Sequence, residues 1–384
     1  MMPSAARRPH GLPALAVLAL AAAVLFGLPA GGSAAAPVTP PTGLWATAPV
    51  APPADPAGEA AGPVPATLPQ AARVRLGVVG IVAGAGYYLA IDKGYFTEQG
   101  LDVDPIPFTT TAEETAPLAA GQLDVGAGAT SAGLFNAIAR GVDVKLVADE
   151  GHTEQGRPGN ALVVRRAAVD AGQLQGIPDL RGRHIALAST SIGVISDLRA
   201  YLAQGGLTLD DVSLEQLAFP DMAPALGNGS VDAAIVVEPF LTLLQQTGLG
   251  TRWLWDYEVN PDHQVAVILY GPGFVREQPD AARRWMTAYL RGVRYFNDAF
   301  VRGDAAARED AVQVLMKWTP IRDRGLYDLM SVIGLDPDGE MRVPSMAADQ
   351  QLFLKLGQQD RPVDFTTAVD TQYVRAARQT LGPY

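Results

Sequence analysis

The chain has 384 residues, 48% of them hydrophobic, enough for two domains of ordinary size and incompatible with global disorder. Its formal net charge is −11, and its arginines are scattered among acids, so no basic patch of the kind nucleic acid requires is present. It contains no cysteine, which excludes disulfides, thiolate metal sites, a cysteine nucleophile and a lipid-modified N-terminal cysteine. The four histidines (His10, His152, His184, His263) show no metal-ligand spacing, and neither a metal nor a cofactor is implied.

Residues 1–36 read as a signal peptide. Arg7 and Arg8 give a positive start, Leu12 to Leu28 an apolar stretch, and Ser33 to Ala36 small-x-small cleavage positions. The apolar stretch is near the lower length limit for a span, so an uncleaved membrane anchor is the alternative. Residues 37–72 are rich in Pro and Ala with almost no charge. That composition builds no core and forms a disordered, polyproline-like tether, able to reach on the order of 100 Å when extended.

The folded part begins at Val74. Residues 74–79 form a strand, 80–86 a glycine-rich loop and 87–93 a helix. Strands at 101–108, 123–127 and 142–148 alternate with helices at 112–120 and 132–140. Residues 160–165 form a strand that crosses into a second lobe. That lobe holds strands at 184–188, 213–218 and 231–237 and helices at 194–204, 223–227 and 240–246. Residues 264–270 cross back. From Pro279 the pattern is mostly helical, with Trp285, Tyr289, Val293 and Phe296 as an apolar stripe and Arg283, Arg284, Arg291 and Arg294 on the solvated face. This alternation predicts an α/β protein with doubly wound sheets.

The pattern turns on residues 118–131, LAAGQLDVGAGATS. An apolar strand ends there in small residues, and Thr130 or Ser131 N-caps the next helix, leaving backbone N–H groups facing a crevice. The motif L-x-x-G-x-[LV]-D spans Leu118 to Asp124 and recurs from Leu226 to Asp232. Each copy follows a Gly-Leu pair and a strand ending in Phe, at Phe108 and Phe219. Either two α/β units share a generic pattern, or two similar lobes each offer a strand end to one cleft.

The run from Gly86 to Val103, GYYLAIDKGYFTEQGLDV, resembles the periplasmic solute-binding proteins for nitrate, sulfonate and taurine, which group with the NMT1/THI5-like pyrimidine-precursor binders. Residues 118–148, LRGRHIAL from Leu180, FPDM from Phe219 and VDAAIVVEPF from Val231 carry the same resemblance in the same order. It implies a type II periplasmic-binding-protein fold, with lobe 1 at 73–163 and 270–384 and lobe 2 at 164–269. It also implies a monomeric, soluble periplasmic receptor that delivers a small-molecule ligand to an ABC importer permease in the inner membrane, with no chemistry of its own. A THI5-like pyrimidine-precursor enzyme and a tethered ligand sensor are the alternatives. The lack of cysteine and the scarcity of histidine weigh against the enzyme.

Within such a fold the ligand contacts follow the strands. The candidates are Gly86, Tyr87, Tyr88, Thr130 and Ser131 in the first lobe and Ser189, Thr190, Ser191, Asp221 and Glu238 in the second. The tyrosines can stack on a planar ligand, and the hydroxyl-rich helix starts can donate to an oxygen. Asp221 and Glu238 would repel a bare anion and accept from an amine or heterocyclic N–H. They favour an organic ligand among sulfonates, pyrimidine-type heterocycles and aromatic acids.

Overall fold

The computed structural model describes residues 71–384; the expected signal peptide and all but the last two residues of the expected tether lie outside the described residues. Strand β1 (Ala72–Val78) opens the fold two residues before the expected start at Val74. β2 (Leu101–Pro107) and β3 (Val125–Gly128) flank it in parallel, and β4 (Lys145–His152) completes the first run. The chain then enters a second sheet with β5 (Ala161–Arg165), β6 (His184–Leu187), β7 (Ser213–Gln216), β8 (Ala233–Val236) and β9 (Gly250–Trp255). β10 (Gln264–Tyr270) returns to the first.

The sheet orders are β2-β1-β3-β10-β4 and β7-β6-β8-β5-β9. In each, four strands share one direction and the fifth, β10 or β5, runs antiparallel to both its neighbours. The two sheets therefore have matching topologies, and the crossovers run through residues 153–160 and 256–263. The boundaries expected at 163/164 and 269/270 cut through β5 and β10, which each sheet holds whole. Both β5 and β8 are nearly continuous apolar runs, as strands covered on both faces must be.

The segment from Phe219 was expected to end a strand, with a short helix beginning at Ala223. Instead one helix runs Phe219–Asn228, started by Pro220 in its first turn, where proline's missing N–H costs nothing. The apolar stripe of the long helix Pro279–Phe300 is fully buried, as its spacing predicts. Its arginines do not all face solvent. Arg284 is buried, and Arg294 reaches across to Asp338 at 2.8 Å and to the carbonyls of Pro337 and Gly382. Long aliphatic stems let such residues cover apolar surface while the guanidinium finds oxygen partners.

Candidate functional site

The carboxyl ends of both sets of parallel strands, together with the two crossovers, enclose a cavity of about 80 Å³. Ile81 to Ala83 after β1, Thr110 to Ala112 after β2, and Gly128 and Ala129 line it from the first lobe. Ala188 and Ser189 after β6, Phe219 after β7, and Val237 and Glu238 after β8 line it from the second. Asn160 and His263 contribute from the crossovers. Ligands of open α/β sheets sit at this end of the strands because the loops there diverge and leave a crevice.

Most of the lining is apolar; its ionisable members are the acids Glu150, Asp197 and Glu238 and one histidine, His263. Glu150, near the end of β4, is 1% exposed, and its Oε2 has no hydrogen-bond partner. Burial pushes its pKa well above the usual carboxyl range, Glu114 and Asp149 add to this by repulsion, and a hydrogen bond from the Tyr87 hydroxyl opposes it. Glu238 accepts the Thr242 N–H at 3.0 Å, the Thr242 hydroxyl at 2.9 Å and the Ser331 N–H at 3.2 Å. Burial outweighs those bonds and raises its pKa to about 7. Behind the lining, Glu114 accepts the Ala127 N–H at 2.8 Å, and burial raises its pKa to about 8. A side chain at Gly77 would collide with the Glu114 carboxyl, so that glycine is what makes room for it.

His263 is buried between two acids, with Nδ1 3.0 Å from Asp197 Oδ1 and Nε2 3.0 Å from Asp349 Oδ2. Burial alone would lower its pKa, but Asp197 and Asp349 together outweigh burial and hold it well above the usual value, so the ring stays an imidazolium. Asp197 also accepts from the side-chain amides of Asn160 and Asn260, both at 2.8 Å. The Ser196 hydroxyl donates to Asp349. One polar cluster thus joins both crossovers, the second-lobe helix Val194–Ala203 and the helix Val343–Lys355.

The lobes also meet directly. Ser131 and Ile192 form an antiparallel bridge, in which the Ala132 N–H donates to the Ser191 carbonyl at 2.9 Å and the Gly193 N–H to the Thr130 carbonyl at 3.1 Å. The Val82 N–H donates to the Glu238 carbonyl at 3.3 Å. The structure is that of a closed cleft.

Of the ten expected contacts, Ser189 and Glu238 line the cavity. Thr130, Ser131 and Ser191 belong to the bridge between the lobes, and the Thr190 carbonyl accepts from Gln358 Nε2 at 3.1 Å. Ser131 is the N-cap of the helix Ala132–Ala139, accepting the Leu134 N–H at 3.1 Å. Gly86, Tyr87 and Tyr88 are core residues: Gly86 packs against Tyr289 and Val293, and Tyr88 donates to the Val79 carbonyl at 2.6 Å and stacks on Trp318. Asp221 is exposed in the first turn of its helix, where it favours the helix dipole, and does not line the cavity. The sequence reading missed Glu150, Asn160, Asp197 and His263. The signal for Glu150 was legible, since Asp149-Glu150 continues an apolar strand and acids inside such a run need a reason.

Two α/β lobes, joined by two crossovers and closed over a cavity at their strand ends, define the type II periplasmic-binding-protein class. Within that class the chain belongs to the NMT1-like family, whose model matches residues 68–316. It is 29% identical over 212 residues to a protein of Bacillus subtilis (strain 168) whose name assigns it, provisionally, to aliphatic sulfonate binding. That match covers 53% of this chain, and the chain spans about 60% of the length of this curated relative. The fold is similar to the alkanesulfonate-binding protein of Xanthomonas axonopodis pv. citri bound to MOPS, with a TM-score of 0.65 and 16% identity over 79% of this chain and 100% of that one. It is also similar to the desulfurization enzyme DSZB, with a TM-score of 0.58 and 15% identity over 81% of this chain and 99% of that one. At such identities the likeness to the solved structures is one of fold.

Proposed function

We propose that the protein is a monomeric periplasmic receptor that holds one small organic molecule between its lobes, leaves it chemically unchanged, and delivers it to an ABC importer permease in the inner membrane. The observation that carries this reading is the closed cavity, walled by strand ends of both lobes and latched by backbone bonds between them. A receptor needs an apolar pocket, a few convergent polar groups and a closure that depends on the guest. Ser189 and Glu238 from the expected set, with Glu150 and Asn160, are the polar groups available. The names of the Bacillus and Xanthomonas proteins, each a sulfonate-binding protein by name, support a binding role.

An enzymatic reading draws on the fold shared with the desulfurization enzyme. Against it, the chain has no cysteine, and its buried histidines are engaged: His152 Nδ1 lies 3.2 Å from both Asp149 oxygens, and His263 sits between two acids. The test is a thermal-shift panel of nitrate, alkanesulfonates, pyrimidines, flavins, aromatic acids and aromatic amines on the full chain. Mass spectrometry of each compound after incubation accompanies it. A ligand present at about 100 times its Kd adds roughly 2.7 kcal/mol of stability. The receptor reading requires at least one such compound, recovered unchanged. Stoichiometric or catalytic conversion of a bound compound would replace it with the enzyme.

A further inference from the structure

The cavity also carries information on ligand charge. We infer that it selects a compact ligand with an apolar body and a nitrogen donor, a protonated amine or an amidine-like heterocycle, held between Glu150 of the first lobe and Glu238 of the second, and that it rejects sulfonates. This rests on the receptor reading.

Three observations support it. First, no arginine or lysine is among the described residues that line the cavity, whose acidic members are Glu150, Asp197 and Glu238. His263, the lining residue that carries positive charge, is already matched by Asp197 and Asp349.

Second, Glu150 Oε2 is buried at the cavity without a partner. A buried acceptor left unmade costs the folded state, and a ligand N–H directed at it recovers that cost. Glu238 has acceptor capacity beyond its bonds to Thr242 and Ser331, since a carboxylate offers about four lone-pair sites.

Third, several of the backbone donors at the helix starts beside the cavity are already in use. The Ala132 N–H goes to Ser191, the Leu134 N–H to Ser131 and the Val82 N–H to Glu238. An anion in this cavity would oppose the ionisation of Glu150 and Glu238 and would meet no arginine or lysine among the described lining residues. A cation would let the buried carboxyls ionise against it, reversing the burial that now favours their protonated forms.

The experiment is isothermal titration of the full chain with a matched aromatic series: benzamidine and benzylamine as cations, benzyl alcohol as the neutral member, benzenesulfonate and benzoate as anions. Butanesulfonate, nitrate and cytosine complete it. The expected result is binding of a cation or of cytosine, with no heat from the anions. Glu150→Gln and Glu238→Gln should each weaken that binding by roughly tenfold or more, the loss expected for a charge-assisted hydrogen bond. Ligand-free thermal stability serves as the folding control, because a glutamine keeps an acceptor oxygen and removes a buried ionisable group. Preferred binding of a sulfonate, benzoate or nitrate overturns the inference and leaves the receptor reading standing. Cation binding unaffected by either substitution also overturns it. Silence across the whole panel contradicts the receptor reading and the inference together.

Discussion

Asp124 and Asp232 make the same backbone joint in different lobes. Asp124 Oδ2 accepts the Arg75 N–H at 2.8 Å while its own N–H donates to the Arg75 carbonyl at 3.0 Å. Asp232 Oδ2 accepts the His184 N–H at 3.3 Å, and its N–H donates to the His184 carbonyl at 2.8 Å. Each aspartate precedes an inner strand and ties it to the strand beside it. The repeated L-x-x-G-x-[LV]-D motif is therefore a structural joint, and the matching sheet orders show that two similar lobes, not a generic pattern, lie behind it.

Removing that joint should be costly. Asp124 also binds the Arg75 guanidinium at 2.8 and 2.9 Å, so Asp124→Ala should lose about 2 kcal/mol, and Asp232→Ala, with its longer bonds, about 1 kcal/mol. Urea denaturation measures both. Two variants as stable as the parent would show that the motif carries no load.

The helices Ala85–Asp92 and Pro279–Phe300 cross where a side chain on Gly292 would collide with the Gly86 carbonyl. Gly292→Ala should therefore destabilise by about 1–3 kcal/mol through overpacking. Gly273, in the helix Pro272–Glu277, faces open space, and Gly273→Ala should stabilise by about 0.5–1 kcal/mol. Thermal denaturation of the pair checks the contrast. Equal effects would count against the close approach.

Asp349 secures the polar cluster between the lobes. Asp349→Ala leaves the His263 imidazolium with one acid partner and the Ser196 hydroxyl without its acceptor. Breaking a buried pair from one side costs about 3–5 kcal/mol. Chemical denaturation should show a loss of that order, and a loss below about 1 kcal/mol would mean that water substitutes for the carboxyl.

Stability should depend on pH in a defined direction. Glu238 and Glu114 ionise at about 7 and about 8 in the folded state, against 4.5 for a free glutamate. The folded state holds the extra protons, so their penalty is absent below about pH 4.5 and grows as pH rises, levelling off above 8. Glu238, faced by Thr242 and Ser331, and Glu114, faced by Glu113 and the Ala127 N–H, together account for on the order of a few kcal/mol. Glu238→Gln should gain stability over the parent at pH 8 and show no gain at pH 4. A cation held between Glu150 and Glu238 expels protons that burial keeps on them, so benzamidine should bind more tightly at pH 8 than at pH 6. The opposite slope would contradict the assignment.

The fold was legible because its signals are local. The buried strands read as short apolar runs, and the stripe from Trp285 to Phe296 repeats at helical spacing. The site was less so. The small residues Thr130, Ser131 and Ser191 marked a special place, but proximity to the other lobe decided their use, and sequence spacing does not encode that distance. Tyr87 and Tyr88 occupy adjacent positions that suggest opposed directions, yet both are buried because the helix carrying them is covered on several sides. His263 and Asp349 are distant in sequence, and their ion pair exists only once the crossover and a C-terminal helix have come together.

A receptor of this kind closes its two lobes on a guest. Because the chain carries no cysteine, cysteines introduced at exposed Thr97 in the first lobe and Gln246 in the second take spin labels at those positions alone. Double electron–electron resonance then reads the distance between them with and without the tightest-binding compound of the panel. Closure on a guest predicts a broad distribution in the free protein that collapses to one narrow, shifted peak at saturation. A distribution unchanged by a compound that calorimetry shows to be bound would contradict it.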